Sequence, residues 1–188
     1  FSQLGCFSLY AAKVMTSGEG GAIVTDDKKL FEKLKQIRNH GLSRNHLITT
    51  FGLNLRLPEI NAAIAKVQMK KLPLLLEKRK NNARILTELL KNYDIILPNQ
   101  RKSETLNWYL YTIALKNRNN IMKKLNSSGI GATVYYSPPI HKTPYYKTKT
   151  SLPNTEWAAC HVLSLPIHPK VRKSDMVRMK KIFSSNRK

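Results

Sequence analysis

At 188 residues, with 41% hydrophobic and 23% charged content, the chain has the composition of an ordinary globular protein with one core, or one core and a small appendage. Its formal net charge of +22 is spread through every segment with only mild enrichment over residues 170–188. There is no RNP-like run, zinc-finger spacing or basic-region heptad, so a specific nucleic-acid partner is not indicated; the plain reading of the charge is a lysine-rich source composition with an acidic portion missing.

No apolar run reaches membrane-spanning length and no signal peptide opens the chain, which argues against a membrane partner. Cys6 and Cys160 have no near partner, so neither a disulfide framework nor a zinc or other metal site is expected, and a reducing cytoplasm is the simplest compartment.

In chain order, Phe1 to Ser8 reads as the middle of a domain, with Gly5-Cys6-Phe7-Ser8 a strand running into a turn. Lys13 follows in a small, mostly uncharged neighbourhood, then Gly18, Gly20 and Gly21, then a short apolar strand from Ala22 to Thr25 ending in two aspartates. A lysine becomes a nucleophile when partly desolvated, because losing its proton frees the amine to attack a carbonyl; a solvated surface charge is the alternative. Asp26 is the expected N-cap of a helix through Leu30, Leu34 and Ile37, stopped by Gly41, and residues 42–51 read as a polar loop. Pro58 suits the first turn of a further helix, whose stripe Ile60, Ile64 and Val67 reads as core packing. Periodicity resumes beyond Pro73 through Leu76, Ala83, Leu86 and Leu90 to Tyr93, so one long helix kinked at Pro73 is expected.

From Ile95 the texture changes. Strands are expected over 105–115, 132–136 and 163–166, and helices over 117–128 and 155–162, with Ser174 capping a last helix to Phe183. This order gives a compact α+β lobe. His40, His46, His161 and His168 read as structural or solvated.

Three separated blocks carry a resemblance. They are Ser8-Leu9-Tyr10-Ala11-Ala12-Lys13 with Ser17-Gly18-Glu19-Gly20-Gly21, then Gly52-Leu53-Asn54-Leu55-Arg56 with Glu59, Ala62, Ala63, Ile64, Gln68 and Leu72, and a third set beyond Gly129. That set comprises Gly129-Ile130-Gly131-Ala132, Pro139-Ile140-His141, Pro144-Tyr145-Tyr146, Leu152-Pro153-Asn154-Thr155-Glu156-Trp157 and Leu163-Ser164-Leu165-Pro166-Ile167-His168-Pro169. In order and over nearly the whole chain, they resemble the DegT/DnrJ/EryC1/StrS aminotransferases. Val14 departs from the family's usual asparagine, and Leu53 and Leu55 from its usual aromatics.

The resemblance implies an α/β chain that is the C-terminal part of a pyridoxal 5'-phosphate (PLP) fold-type I aminotransferase. Residues 1–57 would be a remnant of the large PLP-binding domain, 58–94 a long linking helix, and 95–188 the small α+β domain. It further implies that Lys13 is the Schiff-base lysine for PLP and that Ser8 is a hydroxyl ligand of the cofactor phosphate. By the same resemblance, Asn54 reaches the phosphate of the neighbouring subunit's cofactor in a homodimer. Arg56 would face either an anionic substrate or an interface carboxylate, and His141 would line the sugar-nucleotide pocket. The implied reaction moves an amino group from glutamate or glutamine to a 3- or 4-keto sugar linked to a nucleoside diphosphate, for cell-surface glycan or antibiotic sugars. Dehydratase-type relatives carry histidine in place of the lysine, so Lys13 argues against them.

In the family the acidic partner of the ring nitrogen, the stacking aromatic and the glycine-rich phosphate cradle lie upstream of the lysine, and this sequence does not contain them. Asp26 and Asp27 fall at the far end of the following strand and do not replace that acid. The 188-residue chain is therefore expected to be inactive, or nearly so, alone, and marginally folded over its first fifty or so residues (an estimate from exposed sheet edges). The alternative of another class is an inactive remnant serving as a basic interaction or nucleic-acid-binding module.

Overall fold

A computed structural model describes residues 3–146 and 148–186; the outer domain bounds expected at 1 and 188 lie outside them. The chain divides into two compact units, Phe1–Pro73 and Leu74–Lys188.

In the first unit, β1 (Gly5–Ser8) and β2 (Gly21–Val24) pair antiparallel, with Gly5 opposite Val24 and Ser8 opposite Gly21. The second strand lies one residue earlier than expected, because Gly21 completes the ladder and Thr25 leaves it. The Thr25 hydroxyl donates to the Gln3 carbonyl (2.7 Å) and accepts the Asp27 amide (3.1 Å). Helix α1 (Lys28–Arg38) is capped by Asp27 and not by Asp26: Oδ1 of Asp27 accepts the Lys29 and Leu30 amides at 2.7 and 3.1 Å.

Past α1 the chain turns at Gly41, whose φ of +74° suits glycine, and returns along the helix end. A Cβ at Gly41 would overlap the Thr50 carbonyl oxygen. The returning segment is laced to α1 by backbone bonds from Leu53 N–H to the Ile37 carbonyl (2.8 Å) and from Leu55 N–H to the Arg38 carbonyl (2.9 Å).

Helix α2 (Glu59–Leu90) starts directly after Pro58 and continues through Pro73. Its apolar stripe has two fates. Ala83, Leu86 and Leu90 are fully buried, whereas Ile60, Ile64 and Val67, expected to pack in a core, are 76%, 43% and 50% exposed. Among the described residues of the first unit, Leu9 is the one buried large hydrophobic side chain, so that unit holds no core for the stripe to join.

The second unit is built on a two-stranded antiparallel sheet, β3 (Tyr111–Ala114) with β4 (Val162–Leu165), in the register Tyr111 to Leu165 and Ala114 to Val162. Helix α3 (Arg118–Ser127) ends before Gly129, α4 (Pro153–His161) places Pro153 at its first position, and α5 (Lys173–Ile182) closes the unit. Short 3₁₀ turns occur at Ile140–Lys142 and Phe183–Asn186.

Two expected strands shrink. Ahead of β3, Trp108 takes φ +49° and the Tyr109 amide bonds to Asn107 Oδ1, which keeps 105–110 off the ladder. Residues 132–136 keep a single bridge, Thr133 to Ser164. The last helix is capped by Arg172 and not by Ser174, since the Asp175 carboxylate accepts the Arg172 amide at 3.0 Å and leaves Ser174 inside the first turn. Leu86, Leu90, Tyr111, Ile113, Ile121, Leu125, Leu163, Met176 and Phe183 form the core.

Two buried polar side chains of this unit donate to backbone carbonyls. Asn82 Nδ2 lies 3.1–3.4 Å from the Ile167, His168 and Val171 carbonyls. Arg118 donates to the Ala159 and Val162 carbonyls at 3.0 and 3.3 Å, placing a cation at the negative end of α4.

Candidate active site

Lys13 sits in the loop of residues 9–20 that joins β1 to β2. That loop has a fixed conformation because its own backbone closes it. Leu9 N–H donates to the Gly20 carbonyl (2.9 Å), Ser17 N–H to the Leu9 carbonyl (2.9 Å), and Lys13 N–H to the Tyr10 carbonyl (2.9 Å). Side chains tighten it further: Thr16 Oγ1 donates to the Leu9 carbonyl (3.0 Å) and Ser17 Oγ to the Glu19 carbonyl (2.8 Å). Ser17 is buried, Lys13 is partly buried, and Gly18 and Gly20 turn the chain at φ +87° and +131°.

The loop is also held from α2. Asn61 Nδ2 donates to the Ser17 carbonyl at 2.7 Å and lies 3.3 Å from the Glu19 carbonyl. Sequence reasoning did not single out Asn61. Its one signal is its place in the first turns of a helix beside Asn54 and Arg56.

Ser8 is exposed at the end of β1, and its Oγ accepts the Tyr10 amide at 3.3 Å, so the hydroxyl proton is directed elsewhere. Asn54 and Arg56 lie on the segment returning along α1. Asn54 bridges to Asn39 in the backbone, and Arg56 donates through Nε to Asn54 Oδ1 and through Nη1 to Asn39 Oδ1, both at 3.1 Å. Arg56 thus bonds two neutral amides, and among the described residues no carboxylate pairs with it. Lys13 and Ser8 therefore share the hairpin, Asn54 and Arg56 share the returning segment, and His141 belongs to the second unit.

His141, on the 3₁₀ turn, lines a cavity of about 580 Å³ with Tyr135, Tyr136, Tyr146, Thr148 and Thr155. Its Nε2 lies 3.1 Å from Glu156 Oε1, on the first turn of α4. The Leu152 amide (3.0 Å), the His141 ring and the Lys142 ammonium (3.4 Å) hold the Glu156 carboxyl down to about 2. An ionised carboxylate only accepts, so His141 donates from Nε2 and keeps Nδ1 as the acceptor in its neutral form. The sequence placed Glu156 within a family-like block without a role, because its partners come from a turn fifteen residues away. His161 stacks on Trp157 at 4.6 Å, and His168 Nδ1 accepts the Lys170 amide at 3.3 Å, which are structural roles.

The donor set fits PLP in kind: a primary amine on a fixed loop, a hydroxyl with an uncommitted proton, and an amide. The Asp27 carboxylate, at the end of the strand that follows the loop, is occupied in capping α1 and does not add an acid to this set.

The sequence profile of the DegT/DnrJ/EryC1/StrS aminotransferase family matches residues 1–183. The chain is 31% identical over 95% of its length to the UDP-N-acetyl-3-dehydro-alpha-D-glucosamine 3-aminotransferase of Acidithiobacillus ferrooxidans, covering 49% of that protein. It is 32% identical, again over 95% of its length, to the dTDP-3-amino-3,4,6-trideoxy-alpha-D-glucose transaminase of Streptomyces venezuelae, covering 48% of it. The crystal structure of S. venezuelae DesV in complex with a ketimine intermediate superposes with a TM-score of 0.90 at 31% identity, over 95% of this chain and 50% of that one. The chain thus spans about half the length of the relatives it matches. Its mixed α/β fold is that of the PLP fold-type I sugar aminotransferases. The chain belongs to the DegT/DnrJ/EryC1/StrS aminotransferase family.

Proposed function

We propose that this chain is the lysine-bearing part of a PLP-dependent aminotransferase that moves an amino group from an amino acid to a nucleotide-linked keto sugar, in the cytoplasm. The observation that carries the reading is the presentation of Lys13 on a loop closed by its own backbone and held by Asn61. A fixed loop orients the amine before substrate arrives, so little ordering entropy remains to be lost during the reaction.

PLP, when bound, supplies the electron-withdrawing ring that makes the carbon bearing the amino group acidic. The chain's own residues orient and move protons. Lys13 Nζ would hold the cofactor, and the same amine would hold and move the proton at the substrate carbon. The Ser8 proton, left uncommitted by the Tyr10 contact, serves a phosphate oxygen. Asn54 has Oδ1 engaged by Arg56, which orients its amide donor for the phosphate of a neighbouring subunit in a homodimer. Arg56, bonded to neutral amides, keeps its charge for an anionic group of the substrate or for a carboxylate across the interface. In the second unit, His141 offers Nδ1 to the sugar nucleotide while Glu156 fixes its ring.

The enzyme completed with the part this chain does not span tests the assignment. After borohydride reduction with PLP, peptide mapping is expected to place the pyridoxyl group on Lys13. A label on Lys28, Lys29 or another lysine, with Lys13 unmodified, overturns it. The bare 188-residue chain is expected to label little or not at all.

A further inference from the structure

The cavity of the second unit has two walls of different build. One is α4 with the start of β4, which contributes Ala158, Ala159 and Val162 and is anchored by the Arg118 bonds to the Ala159 and Val162 carbonyls. The other is the segment 135–146, which contributes Tyr136, His141 and Tyr146 among others. None of that segment's residues is buried, and none belongs to the core. Its aromatic rings meet each other, Tyr135 with Tyr136 and Tyr145 with Tyr146. Its backbone bonds also stay inside it: Lys142 N–H to the Pro139 carbonyl (2.9 Å), Thr143 N–H to the Ile140 carbonyl (3.0 Å) and Tyr146 N–H to the Thr143 carbonyl (3.2 Å). Among the described residues, the side-chain polar contacts that leave the segment end on one atom, Glu156 Oε1, which His141 Nε2 reaches at 3.1 Å and Lys142 Nζ at 3.4 Å. The same oxygen accepts the Leu152 amide at 3.0 Å, so the first turn of α4 fixes its place. A segment that buries nothing opens locally unless bonds hold it, yet the His141 side chain is only 12% exposed.

We infer that Glu156 is a positioning residue: its carboxylate latches the segment 135–146 against α4 and so keeps His141 in the cavity wall. Latched, the wall and the ring are ordered before any ligand arrives, so that ordering entropy is not lost on binding. Unlatched, the segment opens while the β3–β4 sheet and α3 stay folded, because the core contains no residue of it. The latch belongs to the second unit and acts whether or not the chain takes part in amino transfer.

NMR and amide exchange on the 188-residue chain test it, and neither readout uses catalysis. In the unsubstituted chain the His141 Nε2 proton should appear as a slowly exchanging imidazole signal. Glu156→Ala should erase that signal and lower exchange protection at Thr143 and Tyr146 about tenfold, the effect of losing one hydrogen bond to a charged group. Because Glu156→Ala also frees the Leu152 amide, a second variant cuts the latch from the other side. His141→Ala combined with Lys142→Ala should give the same tenfold at Thr143 and Tyr146 and leave Leu152 protected. All three substitutions together should add nothing further, since both variants break one link. Protection at Ala114 and Ile130, which bond to the Ile96 and Leu125 carbonyls, should not change. The latch is overturned if the unsubstituted chain shows no protected His141 Nε2 proton, or if Thr143 and Tyr146 ignore either variant. It is equally overturned if the two effects multiply, or if Ala114 and Ile130 lose protection by the same factor, which would make Glu156 a support of the whole unit.

Discussion

The Lys13 loop and the Asn54 segment are each held by residues outside the proposed site, and each of those residues makes a separate prediction. Asn61 ties two loop carbonyls to α2, so Asn61→Ala should cost about 1 kcal/mol locally and speed amide exchange at Leu9 and Ser17. Gly41 acts on Asn54 and Arg56. In Gly41→Ala a Cβ at φ +74° would meet the Thr50 carbonyl, so exchange protection of Leu53 and Leu55 should be lost. In the second unit the Glu156 carboxyl titrates near 2, below its ordinary 4.5, because the Leu152 amide and then His141 favour its ionised form. A depressed carboxyl contributes stability above the unfolded value and loses it as pH falls through the folded one. The link between the 3₁₀ turn and α4 should therefore loosen between pH 4.5 and about 2, and Glu156→Gln should remove that dependence. An NMR titration of the Glu156 carboxyl checks the midpoint.

At the scale of elements, α2 shows how far periodicity reaches. One helical stripe runs through Ile60, Ile64, Ala83, Leu86 and Leu90, and the sequence marks every position as core-facing. Only the later ones are buried, because β3, β4, α3 and α5 supply side chains to pack against them. Leu86→Ala should cost the second unit about 2–5 kcal/mol, and Ile64→Ala should change the stability of this chain by less than about 0.5 kcal/mol; chemical denaturation separates the two. Caps were harder to read than helices. Asp26 and Asp27 are equivalent by composition, and Asp27 wins because Thr25 accepts its amide and fixes the turn. The strand expected over 105–115 shortened for a local reason, a positive φ at Trp108, which β-propensity does not register.

For the whole molecule, the assignment of Asn54 to a neighbouring subunit's site has a direct assay. In the completed enzyme, Lys13→Ala chains mixed with Asn54→Ala chains should recover roughly a quarter of the wild-type activity. Half of randomly assorted dimers are mixed, and each mixed dimer holds one intact site. Recovery no greater than either parent would show that Asn54 does not act across the interface.

The amino-acid sequence by itself determined the family, the α/β class and the long helix. Those rest on residues whose signal is local: ordered motifs such as Ser17-Gly18-Glu19-Gly20-Gly21, and apolar repeats along one helix. Only the tertiary structure decided that Asn61 holds the lysine loop, that Glu156 orients His141, and that half of the α2 stripe and both faces of the hairpin stand open. Each of these joins residues distant in sequence, or depends on which partner surface is present. A pattern of apolar side chains records that a face must be covered; what covers it is settled by the contacts the fold makes.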